Sequence, residues 1–513
     1  MSRGRAAVAS PHHAASRAGA DVLRAGGTAI DAVVATNAML GVVYPHMCGV
    51  GGDLFLLHHE ARTGEATCLN ASGPAPALAT RAAFAARGLD AVPARGPLPV
   101  TVPGCVAGWD AALARFGSRP LGELLAPAIA AAEDGVEPTE RLAGWIAGAR
   151  ELLAAAPLLR ERFLAPAGRR LRQPELGRTL RAVATGGAEG FYRGAVADGI
   201  DAAMRAADGL LRREDLAAYA PEWVDPVRAR HRELEVVVTP PNSQGVTALM
   251  MLNALELLGA ERLAPGTAAH VEALAAAARA AYAERDAYVA DPRFVRVPVE
   301  RLVDPGAMRR ALAAPAAVPA RATLDGDTVY LCAVDADGNA CSAIQSLFQG
   351  FGSGFVAGDT GVLLHNRGHA FTLTEGAPNA LEPGKRPLHT LMATLAYEDG
   401  RLRYVLGSMG GDAQPQIVVQ LLDRMLRGES PQAAVDAPRT VHGRILGEGG
   451  GELVWAEEDV GPALAELEER GVRVEVVPAR DERMGHAHAI ALGPGGAVGA
   501  GADPRSDGAA LLV

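Results

Sequence analysis

Gly326-Asp327-Thr328-Val329-Tyr330-Leu331-Cys332-Ala333-Val334-Asp335-Ala336-Asp337-Gly338-Asn339 marks the place where this chain changes character. Before it runs a long, alanine-rich stretch whose apolar spacing predicts mostly helices. From Thr328 onward the spacing is that of a strand. Asp337-Gly338 closes that strand, because Asp-Gly readily takes the positive φ that a tight hairpin turn needs. A returning strand follows over 340–348, Ala340-Cys341-Ser342-Ala343-Ile344-Gln345-Ser346-Leu347-Phe348. Taken alone, Thr328 is an ordinary strand threonine. Freed as a new chain terminus by cleavage of the Asp327–Thr328 bond, it would be a catalyst, with its hydroxyl as nucleophile and its own α-amine as base.

Composition narrows the function classes. The chain has 513 residues and a net charge of −10, with no basic run. Length alone allows about three domains and a large core. The acidic balance argues against nucleic acid or an anionic membrane surface as partner. No apolar run reaches membrane-spanning length. The first ten residues carry Arg3 and Arg5 but no apolar segment of signal-peptide size, which reads as a cytoplasmic protein. Cys48, Cys68, Cys105, Cys332 and Cys341 form no CxxC pair and leave one odd, as expected of reduced, buried thiols. Lys385 is the single lysine, within Pro383-Gly384-Lys385-Arg386-Pro387. Either one codon escaped an arginine-rich composition, or a compact ammonium is required where a guanidinium would not fit.

The organisation follows from the same rules. Residues 11–26 read as a helix stopped by Gly26-Gly27. Thr28-Ala29-Ile30-Asp31 has the form of a capping box opening a very apolar helix to Val43. Strands are expected over 54–58, 66–70 and 233–239. Residues 106–220 form a series of Ala/Leu helices with breaks at Gly135, Pro157, Gly186-Gly187 and Gly209. Long helices cover 243–258 and 268–290. Residues 311–323, rich in Ala and Pro, read as a linker ahead of Asp327. The remainder is β-rich. It has hairpins over 328–348 and 392–408, the second turned by Asp399-Gly400, helices over 412–427 and 460–470, and strands over 472–477 and 487–492.

The segment from Thr328 resembles the start of the small subunit in the γ-glutamyltranspeptidase family, whose members are N-terminal-nucleophile hydrolases. The resemblance continues through Phe351-Gly352-Ser353-Gly354, Gly358-Asp359-Thr360-Gly361, Pro383-Gly384-Lys385-Arg386-Pro387, Gly407-Ser408-Met409-Gly410-Gly411, Val435-Asp436-Ala437-Pro438-Arg439 and Asp503-Pro504-Arg505-Ser506. Upstream it includes Ala25-Gly26-Gly27-Thr28-Ala29-Ile30-Asp31-Ala32, Pro45-His46-Met47-Cys48-Gly49-Val50-Gly51-Gly52 and Val102-Pro103-Gly104-Cys105-Val106-Ala107-Gly108. It implies an α+β fold, a four-layer αββα sandwich, built from two chains: a large subunit, 1–327, and a small subunit, 328–513. It implies no cofactor and no metal. Many transpeptidases are exported, so a cytoplasmic location departs from them. Self-cleavage would begin with Thr328 attacking the Asp327 carbonyl. Ser346 stands where the family has a threonine touching the nucleophile, and a serine supplies the same donor and acceptor. Gly410 and Gly411 are implied to form the oxyanion hole. A glycine turn is the plain alternative.

Departures from the family pattern bear on the substrate. Ser72 aligns with the arginine that holds the glutamyl α-carboxylate. Phe348 replaces an asparagine, Ala370 an acidic residue for the α-amine, and His389-Thr390 a pair of serines. These replacements resemble a branch of the family that includes oxamate amidohydrolase. Its characteristic pieces here are Ser346-Leu347-Phe348, Asn366-Arg367-Gly368, Lys385-Arg386-Pro387-Leu388-His389-Thr390, Met409-Gly410-Gly411-Asp412-Ala413-Gln414-Pro415-Gln416 and Met484-Gly485-His486-Ala487. Arg367 then becomes the candidate for a substrate carboxylate, since a guanidinium binds one bidentately. A solvated loop arginine is the alternative. His389 would contact either substrate or a backbone carbonyl. His486 and His488 share a strand face but have no evident third ligand, and like His12-His13 they read as structural.

The expectation is a self-processing amidohydrolase acting on a small carboxylate-bearing amide. The alternative enzyme is a γ-glutamyltransferase or glutathione hydrolase with altered glutamate contacts. A phosphate-binding protein is disfavoured, because neither Gly49–Gly52 nor Gly407–Gly411 matches a dinucleotide or Walker pattern. A non-catalytic relative would remain one chain. An assembly of several heterodimers is left open.

Overall fold

The computed structural model describes residues 5–164, 170–314, 327–445 and 448–513. Thirteen strands build two stacked sheets. In chain order they are β1 (Ala7–Ser10), β2 (Asp53–Glu60), β3 (Glu65–Ala71), β4 (Glu222–Val224), β5 (Val227–His231), β6 (Leu234–Val238), β7 (Asp327–Val334), β8 (Ala340–Phe348), β9 (Thr394–Glu398), β10 (Arg401–Ser408), β11 (Ala487–Leu492), β12 (Val498–Ala502) and β13 (Ala509–Leu512). The first sheet has seven strands in the order β13-β1-β7-β8-β2-β3-β4, and the second has six in the order β12-β11-β10-β9-β6-β5. All their pairings are antiparallel. Strands from before and after Asp327 share both sheets: they interleave in the first and adjoin at the β9–β6 pair in the second.

Side-chain alternation makes four layers from these sheets. On β7, Tyr330, Cys332 and Val334 point into the core between the sheets, where they meet Val237, Leu395, Val405 and Ile490. Val329, Leu331 and Ala333 point the other way. They pack under helices α1 (His13–Arg24) and α2 (Ala29–Val43). The second sheet turns Val236, Ala396 and Leu406 outward onto α3 (Gly245–Leu257), α4 (Ala268–Tyr288) and α5 (Gln414–Leu426). Each large apolar side chain buried this way contributes about 1.5–3 kcal/mol. The αββα sandwich is therefore the architecture observed.

Local chemistry sets the ends of these elements. The capping box at α2 is complete: Asp31 N–H donates to Thr28 Oγ1 (3.2 Å) and Thr28 N–H to Asp31 Oδ2 (2.9 Å). Gly407 on β10 lies flat against the Tyr330 ring, and a Cβ there would sit 2.2 Å from it. That contact brings the loop after β10 close to the start of β7. Both Asp-Gly hairpins form, with positive φ at Gly338, Asp399 and Gly400.

Three differences from the sequence reading stand out. The linker assigned to 311–323 begins inside a helix, Pro305–Ala313, and its later part lies outside the described residues. β1, β4, β5, β12 and β13 were not expected. A small sheet of Thr440–Ile445, Glu448–Glu457 and Val474–Val477 flanks the sandwich, and only its last strand was anticipated. Among the described residues no helix is long and apolar enough to cross a membrane.

Candidate active site

The site begins at an irregularity in the β7–β8 pair. Asp327 lies opposite Phe348, but Val329 lies opposite Gln345, so Thr328 faces two residues, Ser346 and Leu347. Such a bulge re-aims a side chain at the end of a ladder. Here it aims the Ser346 hydroxyl at the backbone of Asp327. Thr328 Oγ1 donates to Ser346 Oγ at 3.2 Å, Ser346 Oγ donates to the Asp327 carbonyl oxygen at 2.5 Å, and Phe348 N–H donates to Ser346 Oγ at 2.7 Å. One donor and two lone pairs are thus all used. Thr328 and Ser346 are both buried. Asp327 also lines a cleft of about 920 Å³ with Trp145, Leu152, Gln349 and Phe351.

The Gly410-Gly411 loop follows β10. Gly410 takes φ 130° and Gly411 φ 53°, a path that leads directly into the first turn before α5. Among the described residues neither backbone N–H donates to a hydrogen bond. The loop is braced from below. Gln244 Nε2 donates to the carbonyls of Gly411 (2.9 Å) and Thr390 (2.8 Å), and Arg285 bonds both Gln244 Oε1 (2.7 Å) and Asp412 Oδ1 (2.5 Å). Gln244 therefore ties the glycine loop to the His389-Thr390 segment.

Arg367 is buried, with its guanidinium carbon 3.8 Å from the centre of the Phe348 ring. Phe348 itself has φ 79°, a conformation that favours glycine and marks a constrained position. One Arg367 nitrogen donates to Thr390 Oγ1 at 3.2 Å, and among the described residues the other terminal nitrogen, Nη2, has no hydrogen-bond partner. Burial pulls this guanidinium down to about 9, with Asp53 and Asp412 acting in the opposite direction.

His389 is committed on both sides. Leu391 N–H donates to Nδ1 (3.3 Å), so the ring proton sits on Nε2 and is donated to Asp53 Oδ2 at 2.9 Å. The sequence reading left His389 between substrate and a backbone carbonyl; both its nitrogens are engaged inside the protein, by a carboxylate and a backbone N–H. Burial, reinforced by the Arg367 charge, pushes the imidazole down to about 3, so it is neutral. Asp53 also accepts Gly73 N–H at 3.0 Å, and His365 Nδ1 lies 3.3 Å from the same Oδ2, off the hydrogen-bond direction. Burial alone would raise the Asp53 carboxyl. The two imidazoles beside it, His365 and the hydrogen-bonded His389, outweigh burial and hold the group well below the usual carboxylate range.

Ser72 turns inward. Its hydroxyl donates to Asn70 Oδ1 (2.7 Å) and receives Asn242 Nδ2 (3.3 Å). Ala370 is buried in the same apolar cluster as Phe348 and Leu388. Lys385 packs its ammonium 5.6 Å from the Phe294 ring and 3.3 Å from Glu382, as part of the scaffold. His488 accepts Asp503 N–H at 3.4 Å, and among the described residues no group of three or more His, Cys, Asp or Glu could hold a metal. All five cysteines are free and buried. Sequence reasoning passed over Asp53 and Gln244. The signal for Asp53 was a carboxylate opening a strand whose next four residues, Leu54–Leu57, are apolar.

Comparison with known proteins accords with this geometry. The Gamma-glutamyltranspeptidase family profile matches residues 15–513. The chain is 39% identical to the glutathione hydrolase-like YwrD proenzyme of Bacillus subtilis, covering 99% of this chain and 98% of that one. It is 39% identical to the oxamate amidohydrolase proenzyme of Klebsiella pneumoniae, covering 98% and 97%. The crystal structure of cephalosporin acylase from Bacillus halodurans superposes with a TM-score of 0.92 at 35% identity, covering 99% and 96%.

Proposed function

The chain belongs to the γ-glutamyltranspeptidase family, and from that premise we propose a self-processing N-terminal-threonine amidohydrolase that hydrolyses carboxylate-bearing amides. The observation that carries this reading is the hydroxyl relay from Thr328 through Ser346 to the Asp327 carbonyl. It sets the nucleophile beside the bond to be cut and polarises that bond's carbonyl. Thr328 Oγ attacks the Asp327 carbonyl carbon, the C–N bond breaks, and Asp327 is left as an ester on Thr328. That cleavage turns the nitrogen, until then an amide and no base, into the free α-amine, which takes the hydroxyl proton. Water then hydrolyses the ester, which frees the Asp327 carboxylate and the Thr328 hydroxyl.

In turnover the freed amine takes the Thr328 hydroxyl proton as Oγ attacks the substrate amide. The Gly410 and Gly411 N–H groups receive the developing oxyanion, where each such donor is worth on the order of 10²–10³ in rate. The amine product leaves with the proton, and water completes the cycle. Arg367 supports a carboxylate on the acyl group: it is buried, cationic, and among the described residues its Nη2 has no hydrogen-bond partner. Ser72 and Ala370 offer nothing to a free α-amino acid, which makes γ-glutamyl transfer the weaker reading. Five free, buried thiols suit a cytoplasmic location.

A denaturing gel with intact-mass measurement tests the nucleophile. The purified protein, 52.9 kDa as one chain, should run as pieces of about 34 and about 19 kDa. Thr328→Ala should stay whole and inactive, and a normally cut Thr328→Ala would refute the assignment. Ser346→Ala should mature slowly. Hydrolysis of oxamate and longer acid amides, compared with a γ-glutamyl anilide, tests the substrate class.

A further inference from the structure

Asp53 and His389 come from opposite sheets. Asp53 opens β2 in the first sheet, and His389 leads into β9 of the second. The register places Asp53 directly opposite Ser346 on β8. Cross-strand partners share a face, with Cβ atoms about 4.5–5.5 Å apart. The carboxylate therefore lies on the same side of the sheet as the hydroxyl that touches Thr328. From there it reaches His389, whose neighbour Thr390 holds Arg367. This is one continuous path from the nucleophile's strand to the guanidinium.

Charge points to the same pair. A buried cation without a counter-ion is costly. Arg367 has no carboxylate within ion-pair reach among the described residues, and the carboxylates that act on it from further away are Asp53 and Asp412. Asp412 already pairs with Arg285. Asp53 has no cationic side chain in contact, only imidazoles, and the neutral His389 ring lies against it.

We propose that Asp53 and His389 are positioning residues for the carboxylate-reading site: Asp53 supplies the buried negative charge that keeps Arg367 in place when no substrate is bound, and the Asp53–His389 bond fixes the distance between Arg367 and Thr328. The proposal rests on Arg367 as the carboxylate reader. Neither residue touches the reacting atoms. Their removal should fall on the recognition of an anionic acyl group and spare general amide cleavage by comparison.

The test uses the mature two-chain enzyme and paired probes: oxamate against oxamide, and succinamate against succinamide. Each pair differs in one carboxylate replaced by a carboxamide. The parent should prefer the acid of the pair, and Arg367→Met should abolish that preference. Asp53→Asn removes the charge, and His389→Leu removes the donor. Each should lower the acid-to-diamide ratio of kcat/KM by about tenfold or more, mainly through KM. His389→Gln, whose carboxamide can still donate to Asp53, should recover part of the ratio.

Cleavage into two chains reports folding of each variant. If His389→Leu stays whole, the pair Asp53→Asn and His389→Gln carries the measurement. A parent without preference, unaltered by Arg367→Met, removes the carboxylate reading itself. A parent preference lost in Arg367→Met but intact in the Asp53 and His389 variants overturns this inference alone. Equal losses on acid and diamide, showing a merely structural role, overturn it as well.

Discussion

Arg367 and the pair Arg439 and Arg505 are equally buried and sit in opposite kinds of company. Arg505 pairs with Glu457 and, at 3.1 Å, with Asp503; Arg439 pairs with Asp503 and donates to the loop carbonyls of Met484 and Gly485. Both lie at the join between the small flanking sheet and the sandwich. Arg367 has a hydroxyl, an aromatic face, and no carboxylate in contact. Burial thus does not separate a structural arginine from a functional one. The partner does. Where the protein supplies its own carboxylates the guanidinium is part of the scaffold; where it withholds them, as at Arg367, the function proposed above completes the pair with a substrate carboxylate.

Variants can break that contrast. The largest effect should come from Arg505→Met, which strands Glu457 and half of Asp503. Breaking a buried pair costs roughly 3–5 kcal/mol, so the expected result is a large fall in Tm or insoluble protein. A Tm like the parent's would show that the cluster is not a structural tie. Next is Arg367→Met, which should leave Tm close to the parent's and lose activity instead. Losing a charged contact to a buried ligand group costs on the order of 2–5 kcal/mol, read as kcat/KM on the acid amide. Destabilisation without loss of substrate preference would reverse the roles of the two sites.

Acid should sharpen the same distinction. Burial would raise Asp503, but Arg439 and Arg505 hold it down to about 2. A depressed folded value means that its stabilisation is complete above the unfolded value near 4 and is lost as pH falls toward about 2. That amounts to roughly 2–3 kcal/mol. Denaturation followed by circular dichroism in this window should show an acid limb that Asp503→Asn flattens; an unaltered limb would assign acid sensitivity elsewhere. The smallest effect belongs to Thr390→Val. It removes one hydrogen bond to Arg367, worth about 1–3 kcal/mol at a charged group, and should raise KM for the acid amide without altering maturation.

The sequence made the helices, the Asp-Gly hairpins and the capping box legible, because each depends on residues a few positions apart. It hid strands such as β12, whose Val498-Gly499-Ala500-Gly501-Ala502 has almost no β-branched residues and is a strand only because β11 pairs with it. β1, equally small in its side chains, lies between β13 and β7 for the same reason. The hairpin itself set Thr328 and Ser346 on paired strands, but the role expected of them came only from the resemblance to the family. The commitment of His389 was not legible, since its partner Asp53 lies 336 residues away. The difference between Arg367 and Arg439 was equally out of reach, because it resides in which carboxylates come near, and that is a property of three dimensions.

The interleaving of strands across Asp327–Thr328 has a consequence for the life of the molecule. If that bond is cut as proposed, the two pieces are held in one fold that only the uncut chain could have assembled in a single intramolecular event. Each sheet would lose strands if either piece left. An unfolded mature enzyme would have to find its missing half by diffusion, at a concentration far below the one that the covalent link imposed. The cut therefore turns a fold that can be revisited into one that is made once, and the enzyme's endurance becomes a matter of how slowly it opens.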